Sequence, residues 1–264
     1  MDQALVNKKQ KYWRYQYRLG REYLVKILTD SGINLQNTLV LDIGCAEGGM
    51  LCAFADEGAQ GIGLEISPSR TFLAARFAYP ERKQKINFVI GDFLLPPFNI
   101  NSLKPDLVVL RDVIEHLPDK IMAVQKIQKM MKPHSRLLMT FPPFYSPFGG
   151  HQQMLGGFLK RVPYFHILPS FFWKLIKWYI TKFDSNPRFI REMEKLRYHH
   201  LSICHFKQLM KQNQFEIRNQ CFFISRPSFK LRYGWPVIRG NWVGKIPVLR
   251  EFMITGAFFI METV

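Results

Sequence analysis

Short apolar runs of strand length recur through the first half of the chain, and helix-like segments separate them. These runs cover residues 39–41, 61–64, 87–90, 106–110 and 136–141. Later, a helical segment over residues 197–215 leads into two more strands, over residues 216–225 and 252–262. Strands that alternate with helices are typical of an α/β fold, so the pattern predicts a doubly wound sheet of seven strands.

Three further segments lie outside this alternation, and we expect all of them to belong to one domain over residues 1–264. Residues 8–30 carry apolar side chains at helical spacing, so residues 1–31 are predicted to form a leading helix. Residues 142–200 follow the fifth strand and are predicted to be an inserted cap, with an aromatic, basic helix from residue 170. Residues 226–251 are predicted to be a long basic loop with several aromatic side chains.

The first strand is followed by candidate ligand-binding residues. It leads into Asp42 and then into a turn of small residues that includes Gly44 and Gly48. A strand, a glycine turn and a helix start together predict a cradle whose backbone N–H groups face a ligand, because only small residues let a ligand approach the main chain. The second strand ends in Glu65, where a carboxylate can accept hydrogen bonds from both hydroxyls of a ribose. Residues 92–93, an acid and a flat apolar ring, follow the third strand and are placed to flank an adenine.

Four segments together resemble the class I S-adenosylmethionine-dependent methyltransferases, particularly the group that acts on small molecules and lipids. The matching segments are residues 40–48, 63–67, 91–93 and 112–118. The turn has the shorter spacing G-x-A-x-G, whereas nicotinamide-binding domains have G-x-G-x-x-G, and another nucleotide-binding fold is the alternative. The resemblance implies a Rossmann-like fold, S-adenosylmethionine as cofactor and a leading helix that acts as a lid. The expected cofactor contacts are Asp42, Gly44, Cys45, Ala46, Gly48, Glu65, Ile66, Asp92, Phe93 and Arg111.

Positive charge is concentrated in the second half of the chain. The formal net charge is +17, and residues 142–251 hold 18 of the 37 basic residues but only 5 of the 20 acidic ones. The segment around the glycine turn is nearly neutral. This asymmetry indicates an anionic partner: a lipid surface, a phosphorylated or carboxylated substrate, or nucleic acid. A basic surface that only keeps the protein soluble is the alternative.

The predicted helix from residue 170 is apolar around most of its circumference, and a stripe of lysines interrupts it. A helix that crosses a bilayer needs about 20 residues without such charges, so this one is not expected to cross. We expect it either to lie on a membrane surface with its aromatic face down or to cap the substrate site. The first residues do not resemble a signal peptide, and the four cysteines form no C-x-x-C pair. These features favour a cytoplasmic protein, with peripheral attachment to a membrane.

The predicted function is methyl transfer from S-adenosylmethionine to oxygen or carbon of a hydrophobic small molecule or lipid-like acceptor at a membrane surface. An RNA methyltransferase is the rival enzyme, since the charge permits it, but the sequence contains no recognisable RNA-binding module. A non-catalytic binding protein that kept the scaffold is the third alternative. The acceptor and the oligomeric state are not determined by the sequence.

Two histidines are candidates for the base that such a transfer to oxygen or carbon can use. His151 ends a glycine-rich loop after the fifth strand and is the first candidate, and His116 after the fourth strand is the second. Residues 112–116 read D-x-x-E-H, and a related group of methyltransferases binds a divalent ion through E-x-x-E-H and a further histidine. Because the first position here is Asp, and because the E-H pair also occurs in relatives without a metal, we expect no metal ion.

Overall fold

A computed structural model describes residues 3–79, 81–97, 99 and 102–263 of the chain. The strands are β1 Leu39–Ile43, β2 Gln60–Glu65, β3 Ile86–Ile90, β4 Leu107–Arg111, β5 Arg136–Phe141, β6 Phe215–Ser225, β7 Ile238–Arg239 and β8 Gly256–Thr263. The α-helices are α1 Gln3–Leu19, α2 Val25–Asp30, α3 Gly49–Asp56, α4 Pro68–Ala78, α5 Lys120–Met130, α6 Ser170–Phe183, α7 Phe189–Tyr198, α8 Ile203–Gln212, α9 Pro227–Tyr233 and α10 Pro247–Met253.

The strands form one sheet in the order β3-β2-β1-β4-β5-β8-β6-β7. Strands β1 to β5 are mutually parallel, and β8 runs antiparallel to both β5 and β6. Strand β6 therefore runs in the same direction as β5. Consequently, strands β1 to β6 all end at one edge of the sheet, which we call the carboxyl edge. Ligands of open α/β sheets bind at this edge.

The predicted doubly wound α/β fold is confirmed, but the predicted number of strands is wrong by one. The described residues form eight strands, because the two residues of β7 pair with the end of β6. This strand lies inside residues 226–251, which were predicted to be a loop and instead also contain α9 and α10. Helix α10 occupies the start of the predicted last strand, so β8 begins at Gly256 rather than at residue 252.

Two apolar layers cover the sheet, one on each face. Helices α5 and α8 pack on one face, where Ile127, Phe206 and Phe259 are fully buried. Helix α3 and the end of the leading helix pack on the other, where Leu28, Phe54 and Val109 are fully buried. Strands that are covered on both faces are continuously apolar, which is why β4 and β5 appeared as uninterrupted hydrophobic runs in the sequence.

The leading helix is interrupted where the sequence predicted one continuous helix over residues 8–30. A π-helical turn, Gly20–Leu24, separates α1 from α2. A Cβ atom on Gly20 would lie 2.9 Å from the Cβ of Ala53 in α3, so glycine permits the close packing of these two helices. Residues 1–2 of the predicted leading helix lie outside the described residues.

Residues 142–200 build a separate small apolar cluster around α6 and α7, and we call them the cap segment. Trp173 and Ile180 of α6 pack there with Met193 of α7. Helix α6 begins at Ser170, as expected, but the predicted helix over residues 197–215 is two helices, because α7 ends at Tyr198 and α8 begins at Ile203. Within the described part of the chain, no helix is both long enough and apolar enough to span a bilayer.

We expect the buried imidazole of His166 in the cap segment to make stability depend on pH. Its Nε2 donates to the backbone oxygen of Phe144 at 2.6 Å, and its Nδ1 lies 3.3 Å from Nε2 of Gln152. Burial lowers the pKa of His166 from 6.5 to about 4. Between these pH values the unfolded chain binds a proton that the folded chain does not, so stability falls as the pH falls.

From pH 7 to pH 5, this one group is expected to reduce the free energy of unfolding by about 2 kcal/mol. Urea unfolding at the two pH values measures the difference, and His166→Gln should show a correspondingly smaller loss. His205→Gln, which changes an exposed histidine of α8, is the matched control and should behave as wild type. Equal losses in wild type and His166→Gln would contradict the expectation.

Candidate functional site

The glycine turn between β1 and α3 has the backbone geometry that small residues permit. Gly44 and Gly48 both have φ of +74°, and Ala46 has φ of +54°. A Cβ atom on Gly48 would lie 2.6 Å from the ring of Phe88. Left-handed φ and the lack of space together require glycine at this position.

Four N–H groups of this turn already donate within the protein, so they are not free for a ligand as the sequence analysis expected. Gly44 and Cys45 donate to the backbone oxygen of Leu64 at 2.8 and 3.2 Å, and Gly48 donates to Cys45 at 2.9 Å. The N–H of Ala46 donates to Glu65 at 2.9 Å. With these donors in use, the turn still allows a ligand to approach the main chain closely, and carbonyl oxygens suit an ammonium group better than they suit a phosphate.

Glu65 is held rigidly at the end of β2. It is buried, and its two carboxylate oxygens accept one bond each, at 2.9 Å, from the N–H groups of Ala46 and Ser67. A carboxylate has about four lone-pair sites, so both oxygens can still accept a ligand hydroxyl. Ser67 precedes Pro68 at the start of α4, and its N–H bond to Glu65 fixes the Glu65 side chain beside the turn.

The expected adenine-flanking residues follow β3 at the same edge. Phe93 is buried, whereas Asp92 is partly exposed and accepts a bond of 2.8 Å from the N–H of Leu94. The N–H of Gly91 donates to the backbone oxygen of Glu65 at 3.0 Å, which places this segment next to the acid of β2. Ile66, the expected cofactor contact that directly follows Glu65, is 65% exposed.

Asp42 and Arg111 lie near the ends of the two central strands. Both are buried, and Oδ2 of Asp42 has no hydrogen-bond partner. Burial raises the pKa of Asp42 to about 7, and Arg111 opposes that shift. Burial alone would lower the pKa of Arg111, but Tyr12, Tyr15 and Asp112 raise it. The ends of the two central strands thus hold a buried acceptor without a partner and a buried cation.

Helix α1 packs directly over the glycine turn. Gln16 donates to the backbone oxygen of Cys45 at 3.3 Å. Glu47 of the turn is fully buried and pairs with Lys9 of α1 at 2.7 Å and with Arg70 of α4 at 3.3 Å. These contacts are consistent with the lid role that the sequence resemblance implies, which stays a prediction.

His116 and His151 converge on Glu115 at the carboxyl edge. Oε1 of Glu115 lies 3.7 Å from Nε2 of His116 and 3.8 Å from Nε2 of His151. The two imidazole rings are 4.9 Å apart. The Nδ1 of His116 is 2.6 Å from Oε1 of Glu192, which belongs to α7 of the cap segment. The structure thus brings together both predicted catalytic residues, although they are 35 positions apart in the sequence.

Burial and neighbouring charges separate the proton affinities of these groups. Burial lowers the pKa of His151 to about 3, and His116 and Arg226 contribute to the shift. For His116, burial is outweighed by the hydrogen bond to Glu192 and by Glu115, which raise its pKa. Burial raises the pKa of Glu115 to about 7. At neutral pH, His151 is therefore an uncharged imidazole with a lone pair on one ring nitrogen.

The same three residues are chemically a possible set of metal ligands. One ligand atom from each of Glu115, His116 and His151 lies within 4.8 Å of the others, and both carboxylate oxygens of Glu115 are buried without a hydrogen-bond partner. The carboxylate of Glu192 contacts Nδ1 of His116, as carboxylates that orient metal-binding histidines do. Nothing in the structure tests the expectation that no metal is bound, so it stays a prediction.

Sequence reasoning missed three residues of this site: Glu192, Arg226 and Arg232. Arg226 directly follows β6, as Arg111 ends β4, and the direction of β6 in the sheet would have identified it. Arg232 in α9 places its guanidinium 4.3 Å from the ring of Tyr15. No sequence signal distinguishes Glu192 from the other acids of the cap segment, because only tertiary packing brings it to His116.

Comparisons with known proteins agree with this geometry. A family model described as a methyltransferase domain matches residues 12–220. An uncharacterized methyltransferase from Mycobacteroides abscessus is 21% identical over 244 residues, which cover 90% of this chain and 83% of that protein. Phosphoethanolamine N-methyltransferase 2 from Caenorhabditis elegans is 31% identical over 122 residues, which cover 46% of this chain and 28% of that protein.

A solved structure, magnesium protoporphyrin IX methyltransferase from Synechocystis with bound SAH, is similar with a TM-score of 0.58. It is 15% identical in sequence, and the match covers 95% of this chain and 84% of that one, so the likeness is one of fold. SAH, S-adenosylhomocysteine, is the demethylated form of the cofactor that the sequence predicts. Because the family model spans residues 12–220 and the sheet, glycine turn and strand-end acids agree with it, this chain belongs to the methyltransferase-domain family.

Proposed function

We propose that this chain transfers the methyl group of S-adenosylmethionine to an oxygen or carbon atom of a hydrophobic small molecule or lipid-like acceptor, at a membrane surface. The observation that supports the chemistry best is the convergence of His151, His116 and Glu115 at the carboxyl edge, beside the expected cofactor residues. The relatives with named substrates act on small molecules, which supports a small acceptor.

The residues at the edge have separate roles in this proposal. S-adenosylmethionine supplies an activated methyl group when it is bound. Glu65 accepts bonds from the ribose hydroxyls, and the carbonyl oxygens of the glycine turn accept bonds from the ammonium group. His151 accepts the proton of the acceptor hydroxyl at Nε2, and Glu115, 3.8 Å away, stabilises the resulting imidazolium. Holding the reacting groups in line supplies about 7–11 kcal/mol of the barrier in such reactions.

Aromatic side chains around the loop that carries His151 support an apolar acceptor. Phe144 is buried, and its ring contacts Tyr145 and His166 with centroids 5.3 and 5.1 Å apart. The ring of Tyr145 lies 6.1 Å from that of Phe252 in α10. Aromatic side chains in this loop favour an apolar molecule over a nucleic acid as the acceptor.

Exposed apolar surface on the cap segment supports the membrane location. The exposed large apolar side chains of α6 are Phe171, Phe172, Leu175, Trp178 and Phe183. Lys182 lies over the rings of Trp178 and Phe183 at 5.4 and 5.5 Å, so positive charge and aromatic surface occur together. The hydroxyl of Tyr164 donates to the backbone oxygen of Phe252 at 3.0 Å, which joins this segment to the exposed apolar helix α10.

We expect wild-type protein to bind vesicles that contain anionic lipid, and Phe171→Glu and Trp178→Glu each to weaken this binding by about tenfold. Burying one large apolar side chain is worth about 1.5–3 kcal/mol, so partial insertion accounts for a change of this size. Co-flotation with vesicles measures it. Phe72→Glu, which changes a phenylalanine of α4 that is 64% exposed, is the matched control. Unchanged binding in both α6 variants, or no binding of the wild type, would contradict a membrane role for α6.

The proposed function itself is tested by incubating the protein with methyl-labelled S-adenosylmethionine and a total lipid extract of its host. We expect label in an apolar small molecule. Label in RNA added in a parallel reaction would establish the rival enzyme. Binding of S-adenosylmethionine without label in any fraction would favour a non-catalytic protein.

A further inference from the structure

Arg226 is a buried cation that the protein itself pairs poorly. It is 7% exposed, and its Nε is buried without a hydrogen-bond partner. Its Nη1 lies 3.4 Å from Oδ1 of Asp112, which is long for a bond between charged groups. Its guanidinium also lies 5.2 Å from the ring of Phe229, an apolar neighbour. A buried charge without full pairing is costly, so this position favours an additional anion.

The carboxylate next to Arg226 is shared with a second arginine. Oδ2 of Asp112 lies 3.4 Å from Nη1 of Arg111, which is 8% exposed. Two buried guanidinium groups therefore flank one carboxylate, and neither bond is short. Arg232 adds a third, exposed guanidinium beside Tyr15.

The two buried arginines face different parts of the site. Arg111 ends β4, next to β1 with Asp42, so it lies on the side of the expected cofactor residues. Arg226 directly follows β6 and reaches Asp112 from the other side of the sheet centre. The ring of Phe229, which the guanidinium of Arg226 contacts, lies 6.2 Å from the ring of Phe148 in the loop that carries His151. Arg226 is therefore on the acceptor side.

We propose that Arg226 binds an oxyanion, a carboxylate or a phosphate, that belongs to the methyl acceptor. This inference rests on the proposed function and specifies its substrate as an amphiphile with an apolar body and an anionic group. The anion occupies the unpaired Nε side of Arg226, while Asp112 keeps the guanidinium oriented. Arg226 is thus a substrate-binding residue, and the aromatic side chains around the loop of His151 contact the apolar body.

The test is isothermal titration calorimetry of the full chain saturated with S-adenosylhomocysteine. The probes are benzoate, phenyl phosphate and the uncharged benzamide, which share one ring and differ in charge. We expect wild type to bind at least one anionic probe about tenfold more tightly than benzamide, as a hydrogen-bonded charge pair allows. Whether benzoate or phenyl phosphate binds more tightly identifies the oxyanion.

Three variants test whether Arg226 causes the preference for an anionic probe. Arg226→Gln is expected to lose the preference for the anionic probe, and Arg226→Lys to retain part of it. Arg239→Gln, an exposed arginine on the neighbouring strand β7, should retain all of it. In all of these proteins the affinity for S-adenosylhomocysteine should stay within about twofold of wild type, which also shows that the variants are folded.

The inference is overturned if wild type does not distinguish the anions from benzamide, or if Arg226→Gln keeps the preference. It is also overturned if Arg226→Gln mainly loses affinity for S-adenosylhomocysteine, because Arg226 would then serve the cofactor. These failures leave the proposed function intact. A wild-type protein that does not bind S-adenosylhomocysteine would instead refute the proposed function.

Discussion

Glu65→Ala is expected to weaken the binding of S-adenosylmethionine by about a hundredfold or more. Each hydrogen bond from a ribose hydroxyl to a carboxylate contributes about 1.5–3 kcal/mol, and this side chain is placed to accept two. The change also removes the acceptor that holds the N–H of Ala46, so the glycine turn loses one of its fixed bonds. Calorimetric titration with S-adenosylhomocysteine measures the affinity.

Two further variants show whether the weaker binding by Glu65→Ala is due to the lost carboxylate. Glu65→Gln keeps the shape and one acceptor oxygen, so its loss of affinity should be smaller, about tenfold. Glu57→Ala removes an exposed carboxylate just after α3 and should bind as wild type does. Thermal unfolding of each variant without ligand separates lost binding from lost folding. A Glu65→Ala protein that is folded and binds within twofold of wild type would show that this acid does not contact the ribose.

His151→Ala is expected to lower the rate of methyl transfer by about 10²–10⁴-fold, with little change in the affinity for S-adenosylmethionine. This range is typical of the removal of a general base. Single-turnover transfer of labelled methyl to the acceptor found in the lipid extract measures the rate. His116→Ala should have a smaller effect, because His116 is hydrogen bonded to Glu192 and acts on His151 through Glu115 and through charge.

His134→Ala is the control for these variants, since His134 is exposed and follows α5 at the opposite edge of the sheet. A chelator is the second control. If His151 acts as a base, then EDTA should leave the rate unchanged. A loss of activity that Mn²⁺ or Zn²⁺ restores would instead assign Glu115, His116 and His151 to a metal site, against the expectation from the sequence.

The parts of the site that the sequence predicted depend on short-range relations. The glycine turn follows β1 directly, Glu65 ends β2 and Arg111 ends β4. Parallel strands bring their carboxyl ends to one edge, so a correct assignment of strands was sufficient to place these residues together. His116 and His151 were found in the same way, because each follows a strand that ends at that edge.

The parts that the sequence did not predict depend on long-range packing. Glu192 meets His116 only because α7 folds back over the carboxyl edge. Arg226 was assigned to a basic loop, because only tertiary packing brings its guanidinium to Asp112, 114 positions away in the sequence. The bonds of the turn N–H groups to Leu64 and Glu65 depend on the register of β1 against β2.

The central claim is that the carboxyl edge binds an adenosyl donor with its methyl group directed to His151. A crystal structure of the protein with S-adenosylhomocysteine tests it most directly. We expect the ribose on Glu65, the adenine between Asp92 and Phe93, and the sulfur on the side of His151. Ligand bound elsewhere, or bound here with its sulfur turned away from His151, would contradict the claim.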